Sequence, residues 1–206
     1  MNDLYSNAHL IIRWLHVIAG ITWIGHLYFF NFVNVPLQGA LDDATKKAVN
    51  PQLMPRALWW FRWGAMITLL AGLTLFTLTY MYTPGVGFGA TSLLTDVDGL
   101  TARAKWILLG MSLGTIMWFN VWFIIWPIQK RLLTGKVPTD QVAAARKRAL
   151  LTSRLNTFLS GPMLFGMLAP AHYGAMNGLS LILAFGLGLL AIWASIRSSS
   201  KVGKLA

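Results

Sequence analysis

Four histidines, His9, His16, His26 and His172, hold most of the chemistry this chain can offer. There is no Glu and no Cys, and the six acidic residues are all Asp. Paired carboxylates on a helix, thiolate metal sites, covalent haem attachment, a His-Glu-x-x-His zinc motif and a serine nucleophile elbow are therefore all absent. What remains is imidazole, which can ligate a metal or bond a neighbouring helix. His9 and His16 are seven residues apart, so a helix leaves them about 20° apart on one face. His26 lies ten residues beyond His16, rotated by roughly 80° and about 15 Å further along, and should serve a different contact. An imidazole inside an apolar run is costly and so a functional candidate; a neutral histidine bonded to a neighbouring helix is the alternative reading.

The elements that carry these residues are membrane helices. The chain is 56% hydrophobic and 11% charged with ten Trp, too little charge for a soluble domain of 206 residues. Five stretches, 10–33, 57–82, 105–127, 151–173 and 177–196, are long enough for a hydrocarbon core that needs roughly 20 apolar residues. We expect one all-α membrane domain over 1–206, a helical bundle with about five transmembrane helices. The first stretch lacks a basic leader and a small-residue cleavage site, so it reads as a retained helix.

The net charge of +11 follows topology. With alternating helices, Lys46, Lys47, Arg56, Lys130, Arg131, Lys136, Arg146, Lys147, Arg148, Arg154, Arg197, Lys201 and Lys204 share one side. The positive-inside rule then puts the N-terminus outside and the C-terminus in the cytoplasm. These cations suit anionic lipid, and no nucleic acid partner is expected.

On that topology His16 lies in the outer half of the first helix and His172 at the outer end of the fourth. Two neutral imidazoles from different helices can hold the iron of a b-type haem, and Arg13, one turn from His16, can pair with a propionate. Haem b is accordingly the expected cofactor, with His16 and His172 as metal ligands.

Between these helices, 36–56 reads as a polar loop carrying Pro51 and Pro55, with a short surface helix near 42–49. The Gly-rich stretch 83–99 reads as an outer connector, and 135–150 as a helix capped by Thr139 or Asp140. No sequence repeat is expected. Gly20, Gly25, Gly110, Gly114, Gly186 and Gly188 read as close-packing points. Asn120 should bond another helix; Met163 and Met167 should fill gaps; Arg62 and Arg154 should snorkel; most Trp should anchor at the interface.

Four segments carry a family resemblance in the same order: RWLHVIAGITWIG at 13–25, RWGAMITLLAG at 62–72, GTIMWFNVWFIIWPIQK at 114–130 and RLNTFLSGPMLFGMLAPAHY at 154–173. Together they resemble the membrane domain of bacterial urate hydroxylases, the urate oxidase N-terminal domain family, in a short form lacking the C-terminal cytochrome c domain. The most specific run is Asn-Val-Trp-Phe-x-Ile-Trp-Pro-x-Gln, at 120–129. The resemblance implies an integral redox protein of the bacterial inner membrane. His16 matches the family's Trp-Leu-His and His172 its His-Tyr, while Asn120, Trp122, Trp126, Pro127, Gln129, Asn156, Pro162 and Tyr173 fall on motif positions to which no role is assigned.

Three functions follow as expectations. The first is a haem-b-binding subunit passing electrons between an outer-face cytochrome c and a larger membrane oxidoreductase. The second is a urate or purine hydroxylase subunit using a separate cytochrome c. The third is a cofactor-free structural or assembly subunit of a membrane complex.

Overall fold

The computed structural model describes residues 2–203. Five helical rods make the bundle. The first comprises α1 (Asn2–Tyr28), a π-helical turn at Phe29–Asn34, and α2 (Val35–Ala40). The second is α3 (Asp43–Tyr80). The third comprises α4 (Ala102–Phe119), a π-helical turn at Asn120–Ile125, and α5 (Trp126–Leu133). The last two are α6 (Val142–His172) and α7 (Gly178–Ser199). Four rods, Asp3–Ala40, Asp43–Tyr80, Ala102–Leu133 and Gly178–Ser199, are long and apolar enough to cross a membrane. Leu10, Ile11, Trp14, Val17, Ile18 and Ile21 project from α1 as exposed apolar side chains, as a lipid-facing surface requires.

α6, expected as the fourth span, does not join that set. Its middle carries Asn156, Thr157 and Ser160, all 0% exposed, so this rod turns its polar residues toward other helices.

Two loop expectations change. The polar stretch 36–56 is almost wholly helical: only Leu41 and Asp42 interrupt it, and α3 runs unbroken past Pro51 and Pro55. The carbonyls these prolines leave unbonded, on residues 47 and 51, lie on an exposed stretch, so the missing bonds cost little. Asp42 starts the rod by accepting the Thr45 amide at 2.9 Å and the Thr45 hydroxyl at 2.7 Å. The stretch 83–99 forms two small hairpins, β1 (Tyr82–Thr83) with β2 (Gly87–Phe88), and β3 (Thr95–Asp96) with β4 (Gly99–Leu100). Pro84 and Gly85, the latter at φ +83°, form the first turn, closed by the Val86 amide on the Thr83 carbonyl at 3.0 Å. α6 is also started differently from expectation: a 3₁₀ turn at Thr139–Gln141 leads into it, and its N-cap Gln141 makes no side-chain cap bond.

The rods pair by backbone contact at glycines. A Cβ on Gly166 would stand 2.8 Å from the Gly110 nitrogen, and one on Gly161 would stand 2.8 Å from the Gly188 Cα. These contacts join α6 to α4 and to α7, while a Cβ on Gly64 would stand 3.0 Å from the Trp23 nitrogen, where α3 meets α1. Of the six glycines expected to do this, Gly110 and Gly188 make such contacts; Gly25 and Gly186 face open space, and Gly20 and Gly114 meet only side chains at ordinary distance.

The expectation of no repeat fails on the structure. Each first rod of a pair breaks into a π turn followed at once by x-Pro-x-Gln, at Val35–Gln38 and Trp126–Gln129. Each returning rod carries Arg-Ala-Leu-x-x-x-Arg, from Arg56 to Arg62 and from Arg148 to Arg154. The distance from π turn to arginine differs between the halves by one residue. Each π turn accommodates the proline that follows it: proline cannot donate, its ring crowds the carbonyl four residues back, and a widened preceding turn relieves the clash. Accordingly the residue before each proline bonds five back, Val35 to Phe30 and Trp126 to Val121.

The two pairs clasp each other crosswise. Asn31, in the first π turn, donates to the Ser153 hydroxyl of α6 at 2.9 Å, and Trp122, in the second, donates to the Arg62 carbonyl of α3 at 3.1 Å. The core lies at this level and includes Leu27, Phe61, Met117 and Val121, each at most 1% exposed.

Candidate functional site

His16 is held from two sides by α3. Its Nδ1 lies 2.9 Å from the Thr68 carbonyl. A carbonyl only accepts, so Nδ1 carries the proton and Nε2 keeps its lone pair. Gly72 makes room for the ring: a Cβ there would meet the imidazole Cε1 at 2.9 Å. A backbone acceptor on one nitrogen and a bare lone pair on the other is the usual state of a metal-ligating histidine. His9 uses the same face, as its spacing predicts, and meets the Thr79 hydroxyl at 3.0 Å. Tyr5 closes this end of the pair by donating to the Leu78 carbonyl at 2.6 Å.

His172 is the last residue of α6 and is exposed. No hydrogen bond or ring contact joins it to His16 among the described residues. Its neighbour Tyr173 belongs to an aromatic group with Trp106 and Phe165, at ring separations of 6.3 and 6.4 Å. Arg13 is exposed and unpaired, for the one ion pair among the described residues is Lys46 with Asp43. Among the described residues no group of three or more His, Cys, Asp or Glu converges on a point, so a metal cage made wholly of protein ligands finds no support.

The motif residues gather elsewhere, around the second π turn. Asn120 donates to Asn156 Oδ1 at 2.8 Å, and Asn156 passes its own Nδ2 to the Met117 carbonyl at 2.9 Å. The interhelical bond expected of Asn120 is thus present, and both side chains are buried. The Arg62 guanidinium lies 3.9 Å from the Trp126 ring centre and 5.6 Å from that of Trp122, while Trp63 meets Trp122 edge-on at 5.5 Å. Arg62 therefore does more than snorkel. Its charge rests on indole faces, and its buried Nε has no acceptor. Gln129 is half-buried on α5 and stays outside this network, whereas its counterpart Gln38 donates to Asn50 at 2.8 Å and to Asn34 at 3.3 Å.

Three features here escape sequence reasoning. The buried, unbonded Nε1 atoms of Trp23 and Trp118 and Oδ1 of Asn31 flank the core together with Arg62 Nε. Thr68 and Gly72, the two residues that hold His16, carry no signal of their own. Tyr28 ties α1 to α6 through the Ser160 hydroxyl at 2.9 Å. The recurring Pro-x-Gln and Arg-Ala-Leu-x-x-x-Arg would have marked the repeat.

A family model described as urate oxidase N-terminal matches the chain in overlapping stretches, residues 2–47, 38–95 and 86–199. No curated protein and no solved structure matches.

Proposed function

Because this chain belongs to the urate oxidase N-terminal family, we propose that it is a redox subunit of the bacterial inner membrane that holds a b-type haem through His16. The observation that carries this is the His16 tautomer fixed by the Thr68 carbonyl, which leaves Nε2 free to donate to a metal. His172 would be the second residue to hold it, and Arg13, exposed one turn from His16, would pair with a propionate. When bound, haem would supply one-electron transfer at a potential set by its ligands and their hydrogen bonds. The chain's part is to orient imidazole: Gly72 leaves room for the ring, and the Thr68 carbonyl holds the Nδ1 proton and raises the basicity of Nε2.

On the positive-inside charge pattern the N-terminus lies outside, so His16 and His172 face an outer cytochrome c. A larger membrane oxidoreductase takes the other end of the electron path. Optical spectra of the purified protein test the proposal: a reduced b-type spectrum, lost in His16→Ala and altered in His172→Ala, is expected. Protein without pigment after haem supplementation overturns it and leaves the cofactor-free assembly subunit.

A second reading rests on a different observation. Arg62, stacked on Trp126 with an unbonded buried Nε, suits a planar anion such as urate. Purified protein with added cytochrome c should then consume urate, and Arg62→Met should abolish the consumption; no urate loss removes this reading.

A further inference from the structure

A groove of about 510 Å³ opens between α1 and α3 on the side away from the core. Ile21, His26 and Phe29 line it from the first rod, and Leu53, Arg56 and Trp60 from α3. His26, expected to serve a different contact from His16, bonds within its own helix, and its half-buried ring lines this groove.

The hydrogen bonds around His26 define what the groove lacks. Nδ1 lies 2.7 Å from the Thr22 carbonyl, so Nδ1 carries the proton and Nε2 is a bare acceptor. The Thr22 hydroxyl is spent on the Ile18 carbonyl at 3.0 Å. The other lining residues near the imidazole are apolar. In hydrocarbon there is no water to satisfy that lone pair, so a donor must come from a molecule in the bilayer. Arg56 supplies the opposite need: one Nη is held to the Gln52 backbone carbonyl and side-chain oxygen, and the other Nη and Nε are left to donate.

We propose that this groove binds a lipophilic hydroquinone, an aromatic ring with hydroxyl groups on opposite edges and an apolar tail. One hydroxyl donates to His26 Nε2, and the oxygen across the ring accepts from Arg56. The alternative bilayer occupant, a phospholipid, fits in the wrong order. Arg56 lies toward the polar N-terminal stretch of α3, about one turn before Trp60, and so nearer the membrane boundary. A phosphate on Arg56 would bring ester carbonyls, which only accept, to the depth of His26 and leave Nε2 without a donor. The volume suits a small aromatic head, within the roughly 300–1,000 Å³ usual for ligand pockets.

The test uses the full chain in phosphatidylcholine nanodiscs, with decylubiquinol, decylubiquinone and phosphatidylglycerol as probes. Nitrogen-15 NMR of labelled histidine, assigned through His26→Gln, follows Nε2 directly. Decylubiquinol should move the His26 Nε2 resonance and bind about tenfold more tightly than the quinone, which has no O–H to donate. His26→Phe and Arg56→Gln should each weaken binding by about tenfold, whereas His26→Gln, which keeps an acceptor, should retain part of it; circular dichroism and elution volume confirm that each variant folds. Equal affinity for the two redox forms, an unmoved His26 resonance, or displacement of the hydroquinone by phosphatidylglycerol overturns the proposal. None of these outcomes depends on haem at His16, so the two readings fail separately.

Discussion

Replacing Gly72 by Ala tests the support of His16 with a single methyl group. The new Cβ would lie 2.9 Å from the imidazole Cε1 and 3.2 Å from Nδ1, against about 3.5–4.0 Å for an unstrained contact. The ring must retreat by roughly half an ångström or more, and the 2.9 Å bond to the Thr68 carbonyl then lengthens toward the limit of hydrogen bonding. That bond contributes about 0.5–1.5 kcal/mol, so it favours the Nδ1-protonated tautomer by roughly two- to twelvefold. Gly72→Ala should largely erase this preference while costing only about 1 kcal/mol of stability, because the crowded atom belongs to a side chain that can turn. Nitrogen-15 NMR of histidine in the protein without haem reads the tautomer ratio. Haem titration should show affinity reduced by about 10–100-fold, as for other residues that orient a metal ligand. An unchanged tautomer ratio in a folded Gly72→Ala protein would refute the account of how His16 is positioned.

Three further outcomes are expected. Gly166→Ala sets a methyl 2.8 Å from the Gly110 backbone nitrogen; backbone cannot turn aside, so detergent unfolding should show a loss of about 1–3 kcal/mol, larger than for Gly25→Ala, where space is open. Asn156→Leu strands Asn120 and the Met117 carbonyl and should cost about 1–3 kcal/mol; in a double-mutant cycle with Asn120→Leu the paired replacement should cost less than the sum of the single ones. Asp42 lies between the first two membrane-spanning rods, outside both, and its bonds from the Thr45 hydroxyl and amide hold its carboxyl below the ordinary range. A lowered pKa means the cap is intact above the usual carboxylate value and lost as pH falls through the lowered pKa. The Thr45 amide shift, followed against pH, should titrate below about 3.9, and this transition should vanish in Asp42→Ala.

Composition and hydrophobic run length made the helical architecture legible, since both report the cost of backbone and charge in lipid. The seven-residue spacing placed His9 and His16 on the face that α3 covers, and the isolated amide of Asn120 announced a polar partner. Other features depend on distant residues. A proline in a polar stretch signals a loop, but exposure removes most of its penalty in α3, and the rod continues past Pro51 and Pro55. Gly110 could be read as a contact point, but its partner Gly166 lies on another rod and could not. Rotation alone separated His26 from His16 without revealing that the position opens on a groove. The repeat was hidden because the halves share backbone geometry and a few residues, while Asn31 and Trp122, at matching positions, have unlike side chains.

The pairing has a consequence of parity. The start of α1 lies beside the end of α3, as Tyr5 on the Leu78 carbonyl shows, and the start of α4 lies beside the end of α6, where Trp106 donates to the Ala175 carbonyl at 2.8 Å. Two returning pairs bring the chain back to the end of the bundle from which it set out, and α7 alone carries it across once more. Whatever is joined ahead of α1 therefore stands at the end of the bundle that carries Tyr5 and His9, and whatever is joined after α7 stands at the far end.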